Sequence, residues 1–196
     1  MAYKLTELEA INQILSSIGE SPINSLADEL PDDAALAQKE LLLASKEVQL
    51  KGWNFNTDTE YTLARDTNNK IPIPSDALRV TAMPNTTTDV VQREEFLYDK
   101  TSHSYYFDDG VKCEIVWYLA FDKLPEAFRH WICLKATRRF QEKALGSSSI
   151  SEFNRRDELS AQQAAIDSDT VTDNLTIFDS GFLPYQITRG FPTWRT

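Results

Sequence analysis

At 196 residues and 22.3 kDa, the chain has room for one compact domain or two small ones. Its apolar content of 41% is a little low for a globular chain but well above a disordered composition, and its longest apolar runs, such as 115–121, are far too short to span a bilayer. A net charge of −10 at pH 7 argues against ordinary DNA binding, which needs a basic face to neutralise phosphates.

In chain order, the first helix is signalled by Thr6 and Glu9 in capping-box spacing. Ile11, Ile14, Leu15 and Ile18 follow as a buried stripe, and Gly19 is the expected stop. No charged-then-apolar leader comes before it, so secretion is not expected. After a loop, "ESPINSLADELP", a second helix is expected from about Asp33 to Lys51. Ala37, Leu41, Ala44 and Val48 line one face, with Leu36, Leu43 and Leu50 beside them, so the stripe is wide enough for more than one neighbour. Gly52 ends it.

From "GWNFNTDTEYTLARD" to about Asp122 the period falls to about two. Candidate strands are Phe55–Leu63, Leu78–Met83, Val90–Tyr98, Ser104–Phe107 and Val111–Phe121, separated by turn chemistry in "DTNNK", "IPIPSD", "PNTTTD", "YDKTS" and "DDG". Strands with no helix between them predict an antiparallel sheet or a small barrel. Trp53 and Phe55 straddle the helix-to-strand junction and are expected to lock the two parts together.

Helical signals return with Pro125, which suits a first turn, and with Phe128, Ile132, Ala136 and Phe140 on one face, flanked by Trp131, as far as Gly146. Ser149 and Glu152 then form a second capping box before a charged helix with a thin apolar stripe. The expected fold is α+β: a helical bundle from both chain ends (1–53 and 123–173), an inserted β-domain (54–122), and an extended C-terminal arm (174–196).

That arm is unusual. It carries Phe178, Phe182, Leu183, Tyr185, Ile187, Phe191 and Trp194, while Gly181, Pro184, Gly190 and Pro192 hold it out of a helix. It has one acid, Asp179, against two bases, Arg189 and Arg195, so the remainder of the chain carries about −11. Exposed apolar clusters mark interaction sites, and Phe, Tyr, Trp and Arg are the residues that anchor them. The segment reads as a docking arm that orders on assembly.

A constellation for catalysis is missing. His103 and His130 fall in different expected domains, there is no GxSxG, HExxH or glycine-rich phosphate loop, and no metal or cofactor is expected. Glu94–Glu95 and Asp108–Asp109 are paired carboxylates, but neighbours on a strand point to opposite faces, and "DDG" is better explained as a hairpin turn. Cys113 and Cys133 sit in apolar contexts without CxxC spacing and read as reduced core residues. The basic clusters at 137–139 and 155–156 read as solvent-facing charges or intersubunit ion pairs rather than nucleic-acid contacts. The chain is therefore not expected to be an enzyme. A hydrolase of host-surface glycans and a non-enzymatic assembly module are the alternatives to the reading that follows.

The ordered segments "AINQILSSIGESPINSL", "KGWNFNT", "IPIPSDALRV", "YDKTSHSYYFDD" and "LPEAFRHWICLKATRRFQEKALGS", over roughly residues 8–165, resemble the tail tubular protein A family of short-tailed phages. The resemblance implies a structural head–tail adaptor, or gatekeeper, in the virion tail, assembled in the host bacterial cytoplasm. Such adaptors form a dodecameric ring below the portal protein, extend the DNA channel, and receive the nozzle, tail tubular protein B. It further implies a C-terminal segment that grips the portal, DNA passage without sequence-specific binding, and no membrane partner. An acidic wall suits a conduit that must not hold phosphates.

Overall fold

The computed structural model describes residues 4–26, 30–83, 89–145 and 148–172. The expected arm, Gly146 and the side chains of the expected cap Ser149 and Glu152 lie outside the described residues.

Four helices gather around one hydrophobic core. Helix α1 (Glu7–Ser16) opens with the expected reciprocal cap: the Thr6 hydroxyl accepts from the Glu9 N–H, and the Glu9 carboxylate accepts from the Thr6 N–H at 2.9 Å. Ala10, Ile11, Ile14 and Leu15 form its buried face. The Asn12 side chain then holds the loop that follows, accepting from the Ile23 N–H and donating to the Ile23 carbonyl at 2.8 and 3.0 Å. Helix α2 (Asp32–Gln49) starts with two acids in its first turn, which complement the helix dipole, and buries Ala37, Leu41, Ala44 and Val48. Helix α3 (Glu126–Leu145) packs against α1, α2 and α4 and buries Phe128, Trp131, Ile132, Ala136 and Phe140. Among its described side chains, helix α4 (Ser148–Thr172) adds Ala161 and Ala165 to this core, consistent with its thin stripe.

Arg129 ties the ends of this bundle together. It is 4% exposed and donates to the carbonyls of Leu124 and Leu5, each at 2.8 Å, and to that of Asp122. In return, the Glu126 and Asp122 carboxylates accept from the Leu5 and Glu7 N–H groups. A charge buried at this depth is tolerated because each of its three nitrogens donates to a backbone carbonyl.

The segment between α2 and α3 holds a second core. Strands β1 (Thr57–Leu63), β2 (Ala77–Ala82) and β5 (Val111–Trp117) form an antiparallel sheet in the order β1-β5-β2. Strand β5 takes the centre because it is the most apolar: Val111, Cys113 and Ile115 point into the core beside Leu63, Val80 and Ile71. Strands β3 (Val90–Arg93) and β4 (Phe96–Asp99) form a separate two-stranded sheet. The described strands thus form two small open sheets, and the barrel alternative is set aside. Four-residue strands whose ladder ends in an isolated bridge from Pro72 to Phe96 cannot close a cylinder.

Three expectations for this region are corrected. The expected strand Val90–Tyr98 is a hairpin, with Glu94 at φ 55° and Glu95 in its turn. Ser104–Phe107 contributes only a single bridge, Ser104 to Asp99, because Asp99 turns the chain by accepting from the Thr101 N–H and the Ser102 hydroxyl. "DDG" joins no paired strands. It is a bend into β5 in which a side chain at Gly110 would lie 2.9 Å from the Leu63 carbonyl, so glycine is required by close approach. Beyond Trp117, β5 gives way to a short 3₁₀ turn, Phe121–Lys123, that leads into α3.

Both cysteines are free and buried, one in each core, and burial pushes the Cys113 thiol up to about 11 and the Cys133 thiol to about 12.

Candidate assembly surface

The junction between the two cores is built from the end of α2. Gly52, at φ 81°, turns the chain, and a side chain there would meet Arg79 and Val116 at 3.0 and 3.1 Å. The turn places Trp53 and Phe55 on the helical core. Trp53 packs edge-on against Phe128 and Trp131, with ring centroids 4.9 and 5.9 Å apart, and Phe55 against Phe128 at 4.6 Å. The Trp53 indole donates to the Val48 carbonyl at 2.7 Å, which satisfies a carbonyl in the last turn of α2.

Two buried amides complete the junction. The Gln49 side chain, fully buried, accepts from the Leu119 N–H at 2.7 Å and donates to the Leu119 carbonyl at 2.9 Å. Asn56, 2% exposed, donates to the carbonyls of Gln49 and Trp117 and accepts from the Trp53 N–H at 2.9 Å. The end of α2, the start of β1 and the exit from β5 are thereby held by side chain-to-backbone bonds. Farther out, the Asn54 N–H and side-chain amide both reach Asp169 of α4. The ring contacts of Trp53 and Phe55 are with the helical core, and the two amides that reach towards the sheet carry no signal in the sequence.

The basic cluster at 137–139 is spent within the chain. Arg139 makes a two-pronged bond to Glu47 of α2 at 2.7 and 2.6 Å, and Lys135 joins the same carboxylate at 3.2 Å. Arg138 turns the other way, to Glu158 of α4 at 2.6 Å and Glu142 at 2.8 Å. Lys143 pairs with Glu40. Arg155 and Arg156 are exposed on α4.

This ladder predicts an acid response. Hydrogen bonding from Arg139 first, then from Lys135, holds the Glu47 carboxyl down to about 2, against an opposing push from partial burial. A folded value below the unfolded one adds stability that is complete above about 4.5 and lost as pH falls towards about 2. Because the Glu47 side chain is 49% exposed, solvent screening reduces the effect to roughly 1 kcal/mol. Urea midpoints of wild type and Glu47→Gln should therefore converge across that window. Parallel curves would place the acid response elsewhere.

The carboxylate pairs weighed for catalysis fall in separate loops. Glu94 and Glu95 are exposed in the β3–β4 turn, so the strand argument about opposite faces does not apply to them. Asp108 and Asp109 line an open depression of about 440 Å³ with Asp99 and Tyr106, and neither glutamate takes part in it. His103 lies in the turn after β4 and His130 on the exposed side of α3. Among the described residues, no group of three His, Cys, Asp or Glu side chains is placed to hold a metal, and no helix is long and apolar enough to cross a membrane.

The surface carries apolar side chains instead. Leu36, Leu42 and Leu43 stand exposed on α2 and Leu50 at its C-cap, so part of its expected wide stripe faces outward rather than a neighbour among the described residues. The seven-residue spacing of Leu36, Leu43 and Leu50 was the available signal. Two cores braced by internal clamps, with apolar faces turned outward, are the build of an assembly subunit.

Comparison with known proteins supports that class. The family model "Tail tubular protein" matches residues 8–175, and the chain belongs to this family, whose members are structural proteins of phage tails. Among its relatives is the tail tubular protein A of Klebsiella phage KP34, 32% identical over 146 residues, which is 74% of this chain and 76% of the relative. The chain is thus a phage tail component that assembles with other tail proteins.

Proposed function

We propose that the chain is the head–tail adaptor of a short-tailed phage. Twelve copies form a ring that joins the portal to the nozzle, tail tubular protein B, and extends the channel through which the genome is retained and then ejected. The observation that carries this reading is the tail tubular family match, which extends over 8–175. The helical parts, 1–53 and 123–173, build the ring wall, and the part at 54–122 lies towards the outside or the distal side. Trp53 and Phe55 couple these parts. The arm at 174–196 docks on the portal and on neighbouring subunits, with Phe178, Phe182, Leu183, Tyr185, Ile187, Phe191 and Trp194 as anchors and Arg189 and Arg195 as partners for acidic groups. DNA passes without sequence-specific binding, along an acidic or neutral wall. The protein acts without catalysis, in the virion tail, after assembly in the host cytoplasm.

Electron microscopy of the chain mixed with portal should show rings seated on the portal. Deleting 174–196 should leave the melting curve unchanged and weaken the joint. A full-length chain that forms no ring with portal overturns the adaptor reading, and a truncated chain that unfolds assigns the aromatics to its own core.

A further inference from the structure

Leu36, Leu43 and Leu50 are 52%, 42% and 46% exposed. Residues seven apart drift only about 20° around a helix, so the three form one straight ridge about 21 Å long. Ala37, Leu41, Ala44 and Val48, which fill the core, occupy the other side of α2. Single exposed leucines are ordinary on a surface, but a line of three along one helix and its helical C-cap is the pattern of a contact face.

The same chain carries a hollow suited to this ridge. Between α3 and α4 lies an open groove of about 420 Å³, formed by His130, Leu134, Asp157, Ser160, Ala161 and Ala164. Its α4 wall is made of small side chains, which leave room for leucine knobs. Ridge and hollow lie on different flanks of α3, since Arg139 reaches α2 while Arg138 reaches α4. One chain therefore cannot fill its own hollow, but a second copy can. Charge matches as well. Exposed Lys39 and Lys46 run along the ridge, while exposed Asp157 borders the hollow and Asp167 follows it along α4.

We propose that the α2 leucine ridge of one subunit seats in the α3–α4 hollow of the next. The two patches differ, so the contact is head-to-tail. Each added copy presents a fresh ridge or hollow until rotation closes the ring. The inference rests on the ring reading above and names the surfaces that make the ring.

The test uses the full chain, by sedimentation velocity and electron microscopy, alone and with portal. Leu43→Glu should melt like wild type, because its side chain is half exposed, and should lose the ring. Reversing Lys39 and Lys46 to Glu should also lose the ring, and adding Asp157→Lys and Asp167→Lys should restore it. A chain carrying both Leu43→Cys and Ala164→Cys should cross-link on oxidation into a ladder longer than a dimer, which tests the contact even where Leu43→Glu does not fold. If wild type and Leu43→Glu form the same ring, the contact is overturned while the ring reading stands. Cross-linking of Leu43→Cys alone into dimers indicates a two-fold α2–α2 contact and overturns it too. A wild-type chain that never assembles overturns both readings.

Discussion

Phe128→Ala should cost the chain about 3–5 kcal/mol, the range for emptying a buried aromatic site. Phe128 is 1% exposed and lies in the helical core, against the segment that leads from α2 to β1. Its ring touches Trp53 and Phe55 from the junction, and Trp131 lies 6.3 Å away on the same helix. The substitution removes one side of three aromatic contacts at once. The rings left behind are large and close-packed, so they relax poorly into the space. A loss of this size is a large part of the roughly 5–15 kcal/mol that stabilises an ordinary domain. Urea unfolding followed by tryptophan fluorescence reads the effect directly, because Trp53 and Trp131 both border the deleted ring. Phe128→Leu, which retains most of the volume, should recover more than half of the loss. Leu159→Ala, at a side chain 54% exposed, should stay within about 0.5 kcal/mol of wild type. A Phe128→Ala midpoint close to that of Leu159→Ala would mean that the aromatic cluster adds little to the helical core.

Local signals in the sequence were readable where they were also periodic. The Thr6–Glu9 cap, the inner face of α2 at Ala37, Leu41, Ala44 and Val48, and the Phe128–Phe140 stripe of α3 stand where sequence spacing placed them. The β3–β4 hairpin was hidden because its turn is Glu94–Glu95, without the glycine or asparagine that usually accepts a positive φ, and because alternation runs on through it. The outward ridge of α2 was visible as residues but not as a surface. Leucines at seven-residue spacing read the same whether they face their own chain or another copy. The clamps left no trace. Gln49 meets Leu119 across 70 positions, and Arg129 meets Leu5 across 124. A polar side chain that bonds distant backbone belongs to no period and no motif, so only the folded chain shows its partner.

Gln49→Leu turns that hidden clamp into a measurable quantity. The two side chains have similar volumes, so little cavity forms, and the change isolates hydrogen bonding. It strips partners from the Leu119 N–H and carbonyl, which the native amide meets at 2.7 and 2.9 Å. A fully buried orphaned backbone group costs about 1–3 kcal/mol, and because the two Leu119 groups are part-buried the variant should lose about 2–4 kcal/mol. Gln49→Glu should be worse at neutral pH, since a buried carboxylate would face the Leu119 carbonyl, and should recover in part as the pH falls and the acid becomes a donor. Asn56→Ala removes the companion bonds to the Gln49 and Trp117 carbonyls and to the Trp53 N–H. If the two amides hold one latch, the double variant should cost less than the two single losses combined, because the first change already frees the segments that the second would release. Strict additivity in that double-mutant cycle would show two independent clamps instead, and the joint between the helical core and the sheet would then be stiffer than a single latch allows.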